Sequence, residues 1–435
     1  MGTVTRGFLL AGVCLALAGC WRDDGSDAEV SRAAAGPDLR PDEVARAKEA
    51  AGSEIIRDLQ ARRSVLAPGS SFDQVAGSVL AAYSRSAEAD LLSARLRAEA
   101  ASKNWLPRVG PNISLTSLSD LVSQLIVEQV LFDNGRKKAE RDFAKADVEV
   151  AAVTLAEDVN GRVFEALSLY LDAAQARERL ALERRTLEDM SHFEWIMSER
   201  VKGGVSDMSD LNILRSRLAE IREVMAGQQE AEATALAELN AMAARPLGGV
   251  TGLSEVPVDA GSVQSLDVLR AMAEAERDTA EAVMARAGFL PGLTAGGTVG
   301  NGDTSFGLNL RSEQLLGLGT GAQLKAVDAD KEAAKRRRAQ ADEDSNRVVQ
   351  RLEGQLSALS RQVGEASTLR DTAQANLELF QAQYDAGQRD VMDVVGVYET
   401  FAQRQARALA LKYELALARL ELARHLGVLA EGSRI

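Results

Sequence analysis

Apolar residues along this chain step by four and three over most of its length, and alternate with polar ones only in short places. Ala139, Phe143, Ala146, Val150 and Val153 begin one stripe, and Val163, Leu167, Tyr170 and Ala174 continue it. A second runs through Val348, Leu352, Gln355, Leu359, Gln362, Ala366, Leu369, Ala373, Asn376 and Phe380. That step keeps one helix face apolar, and its repeat is the spacing of coiled coils. The first stripe predicts a helix of about 65 residues from Arg136 to Arg200, roughly 100 Å long. Leu211, Leu214, Leu218, Ile221 and Met225 then start a return helix. The seams hold many small and some polar residues, which allow close helix packing.

The alternating stretches each follow a Leu-Pro pair, Leu106-Pro107 and Leu290-Pro291. Proline ends the helices expected before them, over roughly 72–105 and 262–289. In the first stretch Ile113-Ser114-Leu115-Thr116 has the strand period, and residues 121–132 follow, rich in Val, Leu and Ile. Their faces are ambiguous, because Gln124, Glu128 and Gln129 fall on both. In the second, Leu293 to Val299 is a strand of small residues and Asn301-Gly302-Asp303 is a hairpin turn. Beyond it Phe306, Leu308 and Leu310 share one face, with Gly307, Asn309 and Arg311 on the other.

These landmarks recur in one register. Leu106-Pro107 and Gly135 match Leu290-Pro291 and Gly319 at an offset of 184, and Gly204 matches Gly387 at 183. The body therefore reads as two tandem repeats of helix, β-hairpin, long helix and helix. They span 72–245, with a hairpin at about 109–133, and 262–428, with a hairpin at about 293–316. Residues 246–261 connect the copies and 429–435 form a tail. Gly204 and Gly387 are the tip turns, glycines that end a helix in the left-handed conformation. Asp207 and Asp390 cap the helices that follow, where a carboxylate suits the amide-rich end.

Composition adds a class and a place. Aromatics are 4% and prolines only 8, the profile of long helices rather than of several ordinary domains. With 64 acidic and 51 basic residues the net charge is −13, which argues against nucleic acid as a partner. Both cysteines, Cys14 and Cys20, lie at the start, so the body has no disulfide framework or metal cluster to expect. Arg6 and the apolar run from Gly7 to Gly19 read as a secretory signal over 1–19, too short to span a bilayer. Leu17-Ala18-Gly19-Cys20 resembles a bacterial lipobox, which implies lipidation of Cys20, and Trp21 after it favours outer-membrane sorting. Residues 20–71 then form a tether and an accessory helix, the helix expected over Pro41–Leu66.

Four short strands cannot close on themselves, and open strand edges are not viable in lipid. Membrane insertion requires several chains to pool their strands. On the Leu-Pro pairs, on Leu131-Phe132-Asp133-Asn134-Gly135-Arg136 and on the two glycine tips, the chain resembles the TolC/OprM outer membrane factors. The resemblance covers about 72–428. It implies a homotrimer whose 12-stranded β-barrel continues into a periplasmic α-helical barrel. It implies as partners a periplasmic adaptor and an inner-membrane RND or ABC transporter, with outer membrane lipid around the barrel. The function implied is passive exit for efflux or type I secretion. Carried over by position, Asp393 would form a selectivity ring. Asp210 would be tied at the periplasmic gate by Arg389 and Tyr384. A second acidic ring is not expected, since Gly396 holds that position. The alternative class is a non-conducting, periplasmic coiled-coil lipoprotein.

No enzyme, cofactor or metal site is visible in the sequence. His192 and His425 sit alone in helical patterns and suggest no Ser-His-Asp set by spacing. Gly317-Leu318-Gly319-Thr320-Gly321 lacks the Lys-Ser/Thr ending of a phosphate loop and reads as a strand-to-helix turn. Lys335-Arg336-Arg337-Arg338 reads as a solvated helix face.

Overall fold

A computed structural model describes residues 53–83, 86–117, 120–259, 261, 263–300, 303–314 and 317–434. Cys20, the signal and the tether lie outside the described residues. Three helices come first: α1 (Glu54–Ala61), α2 (Ser71–Ala82) and α3 (Ser86–Ser102). Strands β1 (Arg108–Ser117) and β2 (Asp120–Phe132) lead into α4 (Arg136–Lys202) and α5 (Met208–Met242). The order then recurs as α6 (Leu266–Gly288), β3 (Gly292–Gly300), β4 (Asp303–Arg311), α7 (Thr320–Asp385) and α8 (Val391–His425). The two long helices have 67 and 66 residues and the two return helices 35 each.

The accessory segment differs from the expected helix over Pro41–Leu66. Helix α1 ends at Ala61, and Arg62 turns the chain extended (φ −65°, ψ 133°). The extended backbone reaches the C-terminal segment: Val65 N donates to Val428 O (2.9 Å) and Gly432 N to Arg62 O (3.0 Å). The Arg62 side chain, 2% exposed, donates to Leu426 O (2.6 Å), Gln264 O (2.8 Å) and Asp58 (2.6 Å). Those carbonyls lie at the end of α8 and just before α6, so one guanidinium fastens three chain segments. The helix expected over 72–105 is also divided. At Tyr83 the backbone is extended, the phenol donates to Asp158 (3.2 Å), and Arg162 lies over the ring (4.7 Å).

The strands form one antiparallel sheet in the order β1-β2-β3-β4. Its register resolves the ambiguity in β2. Glu128 stands in a row with Arg108 and Gly296, while Val127 stands with Val109 and Gly297. One face therefore carries Val109, Ile113, Leu125, Val127, Val299, Phe306, Leu308 and Leu310. Phe306, Leu308 and Leu310 are 84%, 68% and 72% exposed on it. The Phe306 ring covers Gly297, where an added Cβ would come within 2.9 Å of it. Gln129 also lies on this face, near the helix end, and donates to Trp105 O (2.7 Å). Among the described residues, strands β1 and β4 have no neighbour on their outer sides.

Helix α4 is the hub, touching α1, α2, α3, α5, α6 and α8. Near the sheet the helices lie side by side as α3-α4-α6-α7; toward the tips they lie as α5-α4-α8-α7. Because α4 is flanked on both sides, it buries a second stripe beyond the expected one. That stripe includes Ala144, Val148, Ala152, Leu155, Val159 and Ala166. Helix α7 does the reverse. Leu352, Ala366 and Ala373 of its expected seam are buried, but Gln355, Gln362, Leu369 and Asn376 stay exposed. Half of a coiled-coil seam is left without a partner. Among the described residues no helix is long and apolar enough to cross a membrane.

Arg62→Met should destabilise the fold by about 3 kcal/mol, since buried carbonyls and Asp58 lose their donor. Arg63→Met, at a side chain 85% exposed, should cost under about 0.5 kcal/mol. Chemical denaturation of the detergent-solubilised protein measures both.

Candidate functional site at the helix tips

The two tips share one backbone solution. Gly204 and Gly387 have φ of +71° and +72°. Val205 N donates back to Arg200 O (2.9 Å), and Gln388 N to Gln383 O (2.8 Å), the six-to-one bond of a Schellman turn. Asp207 then caps α5 by accepting from Ser209 N (3.3 Å), and Asp390 caps α8 by accepting from Val391 N (2.7 Å). Behind the turns, Met190, Phe193 and Met197 of α4 pack with Leu211, Leu214 and Leu218 of α5. Leu377 of α7 and Val391, Val394, Val395 and Tyr398 of α8 complete this small core.

Side chains distinguish the tips. In the first, Arg200 Nε donates to Ser206 Oγ (3.0 Å) across the turn. In the second, Arg389 Nε donates to Gln383 Oε1 (3.0 Å), again six residues away. The positions correspond, since Arg200 aligns with Gln383 and Ser206 with Arg389. The same bond is made twice with donor and acceptor exchanged. Arg389 also lies over the Phe380 ring (4.6 Å) and 3.9 Å from Asp393, all within its own hairpin. Within the chain it is not brought to Asp210, which is half-buried in the first turn of α5. Tyr384 is half-buried against the tip core, and Asp393 is exposed.

The two tips are joined by a residue that sequence reasoning passed over. Arg200 reaches Asp390 (3.4 Å), tying the end of α4 to the cap of α8. Further up, Tyr398 donates to Asp189 (2.5 Å), and Arg217 of α5 pairs with Glu399 (2.9 Å). Glu178 accepts from Lys412 (2.9 Å) and Tyr413 (2.8 Å). Burial, followed by the hydrogen bond to Asp189, pushes the Tyr398 hydroxyl well up, so it remains a donor. Only the offset between copies could have flagged Arg200, because Gln383 replaces it in the other one.

The chain shares its fold with outer membrane channels. VceC of Vibrio cholerae superposes with a TM-score of 0.70 at 16% identity, over 82% of this chain and 96% of that one. The outer-membrane channel OprN gives 0.70 at 17%, over 86% and 95%. The CmeC outer membrane channel of Campylobacter jejuni gives 0.68 at 13%, over 83% and 86%. No protein-family model matches the chain, and no curated protein matches its sequence. In this fold the tips described above lie at the helix ends farthest from the sheet.

One cluster away from the tips resembles a catalytic array. Asp267 lies 3.5 Å from His425 Nδ1, His425 Nε2 3.3 Å from Ser345 Oγ, and Ser345 Oγ 2.7 Å from Ser265 Oγ. Ser345 is buried in mid-helix and its hydroxyl is held by Ser265, the N-cap of α6. It lines none of the three main cavities. The cluster joins α6, α7 and α8. Burial holds His425 below the ordinary histidine value of 6.5; Arg424 and Arg351 add to this, while Asp267 and Glu421 oppose it.

Two predictions follow from these contacts. Asp390→Ala should cost about 1–2 kcal/mol by removing the cap, whereas Asp390→Asn keeps it and loses only the half-exposed ion pair, about 0–1 kcal/mol. A double-mutant cycle with Arg200→Gln isolates the pair. The unfolded chain takes up a proton at residue 425 before the folded one does. The contribution of His425 to stability is therefore full above about 6.5 and falls as pH drops through the folded value. Thermal unfolding from about pH 7.5 to about 5 should show this fall in the wild type and a shallower one in His425→Gln.

Proposed function

We propose that three copies of this chain close into a duct through the outer membrane, continued by a helical barrel in the periplasm. The observation that carries this is the open protomer. Its sheet has an apolar face and two unpaired edges, and α7 exposes the half-seam of Gln355, Gln362, Leu369 and Asn376. A closed ring of β1 against β4 satisfies the strand edges, and the next copy covers the seam. Three protomers of four strands make the 12-stranded barrel, and the two repeats supply one hairpin each. The fold shared with VceC, OprN and CmeC supports the same reading. A non-conducting coiled-coil lipoprotein has no use for a sheet that turns Phe306, Leu308 and Leu310 outward.

The duct works by passive conduction. Substrate is delivered by an inner-membrane RND or ABC transporter through a periplasmic adaptor that engages the tips. Cys20 carries the lipid anchor. Asp393, exposed one turn beyond the cap of α8, forms the acidic selectivity ring. Asp210, Tyr384 and Arg389 hold the gate between copies, and Arg389 must exchange its hold on Gln383 for that role. No step makes or breaks a covalent bond, so the chain does not act as an enzyme.

The purified protein should run as a heat-modifiable trimer and conduct in planar bilayers. Asp393→Ala should lower its cation selectivity with the trimer intact, and an unmoved reversal potential would remove the ring. Arg389→Ser with Tyr384→Phe should raise conductance; closed-state conductance at the wild-type level would remove the lock.

A further inference from the structure

The basic run Lys335-Arg336-Arg337-Arg338 divides in the structure. Arg336 pairs with Glu332 on its own helix (3.1 Å), and Arg337 with Asp278 of α6. Lys335 and Arg338, one turn apart, instead line a groove of about 500 Å³ that crosses one face of α6 and has α4 as its other wall. Lys138 of α4 adds a third cation, and Ala139, Met272, Ala280 and Val283 give the groove an apolar floor. Among the described residues, no carboxylate lies within ion-pair distance of Lys138, Lys335 or Arg338. Two carboxyl groups share the walls, Asp142 and Glu276, and Glu149 behind Glu276 is offset by Lys145. The groove is left with one positive charge in excess.

Its place on the chain is as telling as its charge. Arg136 and Glu140 of α4 line the cavity beneath the polar face of the sheet. Lys138 and Asp142 follow them by two residues each, about 200° around the helix. The groove therefore opens on the opposite side, below the apolar face. From Gly135 to Asp142 it covers about 10 Å of α4, starting just under the strand ends. Trp105 and Leu131, 59% and 54% exposed, stand at those strand ends, and exposed tryptophan suits a membrane–water interface. We propose that the groove binds the phosphodiester headgroup of an anionic phospholipid. Its level in the membrane rests on the duct reading. A phosphodiester brings the single negative charge that the groove lacks, whereas a zwitterionic headgroup would leave the excess unanswered. The Arg338 fork takes two phosphate oxygens and the lysines act as point charges, while the roots of the acyl chains lie on Met272 and Val283. Basic pockets between helices at a membrane face bind headgroups in this way.

The test is native mass spectrometry of the full-length protein in detergent, titrated with phosphatidylglycerol. Lys335→Gln with Arg338→Gln should weaken binding on the order of tenfold. Arg336→Gln, on the same helix but held by Glu332, should bind as the wild type does. Phosphatidylcholine should bind the wild type more weakly and lose nothing in the double variant. Equal losses in the Arg336 variant and the double variant mean diffuse attraction to a basic helix and overturn the site. Equal binding of the two lipids, or displacement of phosphatidylglycerol by inorganic phosphate at the same concentration, overturns the anionic lipid as occupant. A conducting wild type whose phosphatidylglycerol affinity is untouched by the double variant overturns the groove alone. A wild type that binds the lipid here and does not conduct overturns the duct reading and leaves the groove standing.

Discussion

Peptide groups along a strand edge need hydrogen-bond partners, and in lipid there is no water to provide them. This chain leaves two such edges open. The sheet is open at β1 and β4. The helices below it are open at α3 and α7, and those near the tips at α5 and α7. Every level is four elements wide with one free side on each flank. A chain built this way has free flanks at all heights for the same geometrical reason. The exposed half-seam on α7 and the exposed Phe306, Leu308 and Leu310 are one fact seen at two levels.

The tips are similar in backbone and opposite in side-chain polarity. Each turn is closed by a glycine of positive φ, and each is followed by an aspartate cap. Yet the arginine precedes the turn in one and follows it in the other. Arg200 is thereby directed at the second hairpin, where it meets Asp390, while Arg389 is occupied by Phe380, Gln383 and Asp393. One tip holds its neighbour and the other holds itself.

Much of this was legible in the sequence because it depends on local chemistry. Glycines that need positive φ, Leu-Pro helix ends and period-two strands are set by neighbouring residues. The tip turns and hairpins could be placed from them. The second buried stripe of α4 was not legible, since Ala144, Ala152 and Ala166 look the same on a solvated face as in a crowded seam. Nor was the face of β2, which depends on register with β3, far along the chain. Arg62 was hidden because its acceptors, Leu426 and Gln264, are hundreds of residues distant. The break at Tyr83 depends on Asp158 and Arg162 in the same way. Of the candidate gate, Gly204, Gly387 and the capping aspartates followed from local rules, whereas the Arg200–Asp390 contact needed both hairpins in place.

Helix α4 runs unbroken for 67 residues, which makes it a rod. The Glu178 anchor to Lys412 and Tyr413 stands 24 residues above Lys202, about 36 Å along the axis. Between that anchor and the tip, Asp189 accepts from Tyr398, and Met190, Phe193 and Met197 pack on α8, so the rod is clamped at several heights. A rod held this way shares any load at its tip among those contacts, so losing one of them leaves the tip still tied to α8.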